Sequence, residues 1–199
     1  MARFSKFPTW WTRSRGMVVF KGGGSAGASI AALKCLIAIS TIIDFYSRKG
    51  RVSFSDLELI TGLSRPMVVK GIEMLEALEI AAVNRTGHVN EYELTVLGDD
   101  DKWAKLPVDR LKQHLPLLPN RGVVPLTALK IYLLLVSLRP NNSLSLSIGY
   151  DRMRELLGVQ KAQIRSALDI LYSHALIRIT KNEEVDAKHN VYTILGLSL

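Results

Sequence analysis

The sequence contains a single cysteine, Cys35, among 199 residues. One thiol cannot form an intramolecular disulfide, and it excludes a zinc site built from several cysteines. The four histidines have neither HxH nor HxxxH spacing, and no serine or cysteine lies in a nucleophile motif. The glycine-rich run 22–27 lacks the Gly-Lys-Ser/Thr ending of a phosphate-binding loop. We therefore expect no enzyme activity, no bound metal and no cofactor.

Acidic residues are missing from the first 43 positions, since Asp44 is the first acid. The basic residues before it supply +6 of the net charge of +8, and aromatic residues lie between them. Positive and aromatic side chains together suit nucleic-acid contact through phosphate pairing and base stacking. Residues 1–28 are therefore predicted to form a basic, aromatic arm in which Arg13 and Arg15 contact DNA. The alternative is that the aromatic residues pack this segment onto the first domain.

A long uninterrupted hydrophobic run is also absent. Residues 30–43 come closest, but Lys34 interrupts them, and the similar run 126–138 carries Lys130 at the matching place. No small-residue cleavage pattern follows the first run. Both runs are predicted to be the first, mostly buried helix of a domain rather than membrane spans. We expect a cytoplasmic protein that has no membrane contact, and the lone cysteine is consistent with that.

Residues 64–79 show the strongest local pattern, which predicts a helix with one buried face. Ser64 suits the N-cap, and Pro66 falls in the first turn, where a missing N–H costs little. Apolar residues then recur every three or four positions, at Val68, Ile72, Leu75 and Leu78. Arg65, Met67, Lys70 and Glu73 are left on the opposite, outward face.

A shorter helix and a hairpin are predicted on either side of this helix. The shorter helix covers residues 55–61, where Ser55 and Glu58 fit a capping box, and Gly62 joins it to the next. Behind residues 64–79 come two β-like runs around Gly87, which is expected to supply the positive φ of a tight hairpin. Arg85, in this hairpin, is placed to reach a phosphate or a minor groove.

The same pattern occurs twice in the chain. A shift of 96 residues places Gly62 on Gly158, Val68 on Ile164 and Leu75 on Leu171. One constant shift that serves three candidate helices indicates an internal repeat. In the second copy, Gln160, Lys161, Gln163 and Arg165 face outward, and Gln and Arg can bond purine edges in a major groove. Leu115-Pro116 also echoes Phe7-Pro8, which suggests that the segment before each copy repeats as well.

These elements predict a mainly α fold with small β-hairpins, in the α+β class. It is divided into residues 1–28, the arm; 29–97, the first domain; 98–124, a linker and lead-in; and 125–199, the second domain. This organisation rests on two segments with the same pattern. They are FSDLELITGLSRPMVVKGIEMLEAL in the first domain and YDRMRELLGVQKAQIRSALDIL in the second. With a hairpin behind each, the chain resembles a protein with two winged helix-turn-helix domains in tandem.

The pattern is similar to the DNA-binding halves of plasmid replication initiators and to replication proteins of phages and other mobile elements. The resemblance implies that the third helix of each domain enters a major groove and that the wing contacts the backbone. Carried over, it implies these DNA-binding residues: Ser64, Arg65, Met67, Lys70 and Arg85 in the first domain, and Gln160, Lys161, Gln163, Arg165 and Lys181 in the second. The second wing departs from the pattern because it carries Glu183, Glu184 and Asp186.

The function predicted is sequence-specific binding of double-stranded DNA, in replication initiation or its control on a mobile element. Two alternatives stay open: a transcriptional repressor that uses the same surface, and a tandem winged-helix protein-interaction subunit of a chromosome-organising complex. A homodimer and the replication or transcription machinery are further partner options. The basic segment and the basic outward helix favour DNA over a protein partner.

Overall fold

A computed structural model describes residues 3–44, 46–87, 89–95, 102–181 and 189–198. The first half contains β1 (Phe4–Pro8), α1 (Trp10–Arg13), α2 (Ala26–Ser40), β2 (Lys49–Arg51), α3 (Phe54–Thr61), α4 (Arg65–Ala77), β3 (Ala81–Asn84) and β4 (Glu91–Leu94). The second half contains β5 (Trp103–Pro107), α5 (Val108–His114), α6 (Val123–Leu138), β6 (Ser145–Ser147), α7 (Tyr150–Leu157), α8 (Lys161–Ser173), β7 (Ile177–Thr180) and β8 (Val191–Ile194). Short 3-10 turns lie at Gly16–Val19, Gly23–Ser25 and Leu115–Leu117.

The two halves have the same element order and the same sheet topology. A shift of 96 residues relates β2, α3, α4 and β3 to β6, α7, α8 and β7. Each half has a three-stranded antiparallel sheet, ordered β2–β4–β3 in the first and β6–β8–β7 in the second. The matching registers pair Ala81 with Leu94 and Ile177 with Ile194. The protein is thus α+β with small antiparallel sheets, and the predicted shift holds across these elements.

Helices α2 and α6 form the centre of the molecule and pack against each other. Almost every residue of both is buried, because they are apolar on all sides. The stretch Gly23–Ser40 is long and apolar enough to cross a membrane, but 72% of it is buried inside the protein. This burial agrees with the interpretation of both runs as core helices. It also places Lys34 and Lys130 in the core.

The capping residues at the helix ends differ in part from those that the sequence predicts. The α3 N-cap is Ser53, whose side chain accepts the Asp56 N–H, so the predicted Ser55–Glu58 capping box is wrong. Ser64 occupies the α4 N-cap position, but its side chain makes no capping bond. Gly87 does not have a positive φ, whereas Gly62 does, at 67°, where α3 ends. Gly62, between α3 and α4, is therefore the glycine that needs a positive φ, rather than Gly87 in the hairpin.

Residues 4–25 pack against the core instead of forming a projecting arm. β1 pairs antiparallel with β5, which lies inside the predicted linker. Phe7, Met17 and Phe20 are fully buried. The aromatic residues thus pack against protein, but the α1 helix and the Gly16–Val19 turn contact α6 and α7 of the second half rather than the first domain alone. Packing of this kind, rather than charge, fixes the segment because burying large apolar side chains stabilises far more than surface ion pairs do.

Each half is completed by a segment from the other half. We call residues 4–25 the first lead-in and residues 103–118 the second lead-in. The Gly16–Val19 turn of the first lead-in packs against α7, and the Leu115–Leu117 turn of the second packs against α3. Val18 lies against Gly158, whereas Pro116 lies against Gly62. The lead-ins therefore cross over, and Pro116 corresponds to Val18, so the suggested echo of Phe7-Pro8 is wrong.

Glycine is required at position 62 by this crossing. A Cβ atom on Gly62 would lie 2.4 Å from the Pro116 carbonyl oxygen, well inside van der Waals contact. At Gly158 the corresponding contact, to Val18 Cγ2, would be 3.2 Å. The repeated glycine thus serves both the left-handed helix end and the approach of the opposite lead-in.

Candidate nucleic-acid interface

Helix α4 is held by one face against α2, which leaves its other face at the surface. Val68, Ile72 and Leu75 are buried in the core. Gly71 allows the close approach, because a Cβ atom there would lie 2.7 Å from the Ala31 carbonyl carbon. Met67, predicted to face outward, is instead half-buried and packs against the core.

Arg65, at the start of α4, is bound to the preceding helix. Its guanidinium donates to Glu58 Oε2 at 3.1 and 3.2 Å and to Ser55 Oγ at 2.9 Å. The Arg65 side chain remains 56% exposed. A solvated ion pair of this kind contributes about 0–1 kcal/mol. Arg65 is thus positioned by α3 and can still exchange its carboxylate for another acceptor at small cost.

Arg85, in the β3–β4 hairpin, is fixed to the C-terminal end of α4 in a similar way. Its two terminal nitrogens donate to the two carboxylate oxygens of Glu76, at 2.8 and 2.5 Å. This bidentate hydrogen bonding raises the pKa of Arg85 above its usual value, so it stays charged. The hairpin and the outward helix therefore carry one continuous polar surface.

Lys70 and Ser64 complete the predicted first-half set, and both are exposed. Within the described part of the chain, Lys70 makes no ion pair, in contrast to Arg65 and Arg85. Ser64, Arg65, Lys70 and Arg85 all lie on α4, at its N-cap or in the hairpin tied to it. All four lie at the surface of the first half, with Arg65 in the first turn of α4 and Arg85 bound near its last turn.

The second-half residues are distributed differently around α8. Gln160 occupies the N-cap position and is exposed, and Lys161 pairs with Asp151 at 3.4 Å. Arg165 is exposed and has no ion pair among the residues that the structure describes. Gln163 turns inward: it is half-buried, and its side-chain oxygen lies 3.4 Å from Thr127 Oγ1. Gln163 is therefore further from open solvent than the predicted outward face implied.

The remaining predicted contacts fall on the lead-in and on the second hairpin. Arg13 donates from Nε and Nη2 to the Ser137 carbonyl oxygen, at 3.0 and 2.6 Å. It therefore joins α1 to the end of α6, although Arg13 itself remains exposed. Arg15 is exposed, as is Lys181. The acidic part of the second hairpin, residues 183–186, lies outside the described residues.

The structure also shows what these surfaces contain chemically. Among the described residues, no group of three or more His, Cys, Asp or Glu side chains could hold a metal ion. The ion pairs that orient Arg65 and Arg85 were missed in the sequence, because each joins residues of two different elements. No protein-family model and no curated protein matches the chain.

Proposed function

We propose that the chain binds double-stranded DNA sequence-specifically through two winged helix-turn-helix units, in replication initiation or its control on a mobile element. The observation that carries this proposal is the repeated unit: α3–Gly62–α4 with the β3–β4 hairpin, and α7–Gly158–α8 with the β7–β8 hairpin. In each unit the second helix buries one stripe and exposes basic residues on the other face. The net charge of +8 supports a polyanionic partner.

In the first unit, α4 would enter a major groove with its N-terminal end leading. Arg65 then lies nearest the base edges, where a guanidinium can bond guanine O6 and N7. Lys70, one to two turns further along, would meet a phosphate, and Arg85 would contact the backbone from the hairpin. Glu58 and Glu76 hold the two arginines in extended geometry until DNA replaces the carboxylates as acceptor.

In the second unit, Gln160, Lys161 and Arg165 would make the corresponding contacts from α8. Lys161 would exchange Asp151 for a phosphate, which is again an exposed pair of small stability. Since Gln163 is bound to α6, its side chain would contribute less to base reading than Arg165. The two units therefore need not read equally long sites.

The test is Arg65→Ala, measured by equilibrium binding to a duplex selected from a random library and to a scrambled duplex. We expect Arg65→Ala to lose about 1–3 kcal/mol on the selected duplex and much less on the scrambled one, because base contacts specify and phosphate contacts do not. Lys70→Ala should weaken both duplexes alike. Arg3→Ala is the matched control, since Arg3 is another exposed arginine in an ion pair, with Asp109 at 3.1 Å.

Two outcomes would redirect the proposal. If folded wild-type protein binds neither duplex, the interaction-subunit alternative moves ahead and the surface of α4 is to be tested against protein helices. If it binds, a footprint on DNA that flanks the encoding gene separates the two DNA roles. Iterated direct repeats favour replication control, whereas a single palindrome favours repression.

A further inference from the structure

A cleft lies between the first lead-in and the second unit, next to the start of α8. Its volume is about 270 Å³. The polar residues that line it are Lys21, Thr127, Lys130, Gln160 and Gln163. The other described residues of the wall are apolar or glycine, and none of them is acidic.

The charged side chains that line this cleft are both positive, and none of the described lining residues neutralises them. Lys130 is only 4% exposed, and its Nζ has a single protein acceptor in the described residues, the Leu157 carbonyl oxygen at 3.5 Å. An ammonium has three N–H donors, so at least two are left for another acceptor. Burial and, to a smaller extent, the nearby positive charge of Lys21 lower the pKa of Lys130 to about 8. The buried ammonium of Lys130 and the exposed one of Lys21 therefore both line the cleft, and no carboxylate is among the described residues that line it.

The corresponding lysine in the first half, Lys34, has more hydrogen-bond acceptors from the protein. Lys34 Nζ donates to the Thr61 and Leu118 carbonyl oxygens at 2.9 and 2.8 Å. Thr61 is the last residue of α3, as Leu157 is of α7, so the two lysines occupy equivalent places. Lys130 lines a cleft and has two spare donors, whereas Lys34 has one. This difference indicates a ligand, because an unsatisfied buried charge is costly.

We propose that this cleft binds a phosphate-class oxyanion, held by the ammonium groups of Lys130 and Lys21 and by the side-chain amides of Gln160 and Gln163. A phosphate oxygen accepts charge-assisted hydrogen bonds from all four, and it supplies the negative charge that the lining lacks. The start of α6 adds to the attraction, since its first turn has no acidic residue and no side-chain cap. The phosphate belongs either to a DNA backbone running along α8 or to a small free phosphate compound.

The first experiment titrates the full chain with inorganic phosphate and with pyrophosphate, by calorimetry in a chloride buffer. We expect wild-type protein to bind, and Lys21→Gln to bind about tenfold or more weakly, since it loses a charge-assisted hydrogen bond. Lys112→Gln is the matched control because Lys112 is exposed on α5, away from the cleft, and it should bind as wild type does. Lys130→Met should abolish phosphate binding. If Lys130→Met fails to fold, the affinity of Lys21→Gln for phosphate still tests the proposal.

Two results would overturn the proposal: no phosphate or pyrophosphate binding by wild-type protein, or equal binding by Lys21→Gln and wild type. The second experiment separates the two sources. If phosphate displaces a bound duplex at constant ionic strength and Lys21→Gln weakens duplex binding, the site holds a DNA phosphate. If phosphate binds with no effect on the duplex, or if the protein binds no duplex, the site holds a free phosphate compound. The phosphate titration does not depend on the proposed DNA function, so the two can fail separately.

Discussion

The two halves of the protein share one scaffold but treat the same buried lysine differently. In the first half, Lys34 is enclosed by two carbonyl oxygens, whereas in the second half Lys130 opens into a cleft. The helices and sheets that surround both lysines correspond element by element. The difference therefore comes from the crossing lead-ins, which are the least similar parts of the two halves.

A single pair of corresponding residues explains much of this contrast. Val18 and Pro116 correspond, because they lie against the matching glycines of the two halves. Four residues further along each segment, Gly22 corresponds to Asn120. Asn120 donates through Nδ2 to the Gly62 carbonyl oxygen at 3.0 Å and so closes the first half. Gly22 has no side chain, and a Cβ atom there would lie 2.6 Å from Val123 Cγ2. The second half thus stays open at this point because its lead-in approaches α6 through glycine.

The largest expected effect tests whether both halves depend equally on the lead-ins. Phe20→Ala and Leu118→Ala remove corresponding buried side chains, and each should destabilise the whole protein by about 2–5 kcal/mol. Val19→Ala is the control, since Val19 is 40% exposed, and it should cost much less. Urea denaturation measures all three. If Phe20→Ala costs no more than Val19→Ala, the first lead-in does not hold the second half in solution.

A smaller effect is expected from the two lysines themselves. Lys34→Met removes donors from two carbonyl oxygens, whereas Lys130→Met removes only one long contact. Lys34→Met should therefore be the more destabilising of the two by about 1–3 kcal/mol. The measurement is again urea denaturation, in buffer without phosphate. Equal losses of unfolding free energy in the two variants would show that Lys34 and Lys130 are equally well hydrogen-bonded within the protein.

The pH dependence of stability sharpens the same comparison. The pKa of Lys130 is lowered to about 8 when folded, mainly by burial, against 10.5 in an ordinary lysine. Between these values the unfolded chain binds more protons, so the contribution of Lys130 makes stability rise with pH, by at most about 1.4 kcal/mol per pH unit. The difference in unfolding free energy between wild type and Lys130→Met should therefore change from pH 8 to 10. Parallel curves for the two proteins would contradict the lowered pKa.

Since burial raises the pKa of Cys35 to about 12, this thiol opposes that trend above pH 9. Cys35 is present in both proteins, so it cancels in the difference between them. Adding phosphate should reduce the effect in wild type alone, because a bound anion favours the charged lysine.

The smallest stability effect is expected at the hairpin of the first half. Glu76→Gln breaks the exposed pair with Arg85 and should lower stability by less than about 1 kcal/mol. It also removes a negative charge from the proposed DNA surface, so non-specific duplex affinity should rise. Binding to a scrambled duplex checks this, and Glu155→Gln, which breaks the exposed pair with Arg152 on α7, is the control. A lower affinity in Glu76→Gln would mean that Glu76 mainly holds Arg85 in place for binding.

The helices and their repeat could be predicted from sequence because their signals are local. Apolar spacing fixed the buried stripes of α4 and α8, and Gly62 and Gly158 marked the helix ends. The crossing lead-ins could not be predicted in this way, since β1 pairs with a strand about a hundred residues away. Basic residues between aromatics suggest an arm just as well as a buried strand and turn.

The candidate site was predictable only as far as residue type and helix face go. Lys70 and Arg165 are exposed as predicted. No local sequence signal indicates that Arg13 donates to the Ser137 carbonyl oxygen or that the Gln163 side chain lies against Thr127. Those outcomes depend on which helices pack together. One signal for the cleft was present: a lysine repeated at the same position of two otherwise apolar helices.

The crossed lead-ins also constrain how the chain acquires its structure during synthesis. Residues 16–20 leave the ribosome well before residue 158, yet the surface that covers Val18 is complete only when Gly158 has followed. At roughly 5–20 residues per second, the buried aromatic segment would wait roughly 7–28 seconds for its partner. During that interval Phe7 and Phe20 are exposed apolar side chains on a nascent chain, and so are targets for chaperones. Pairing over such sequence distances also predicts slow folding that ends in one cooperative step, with neither half stable while the other is being made.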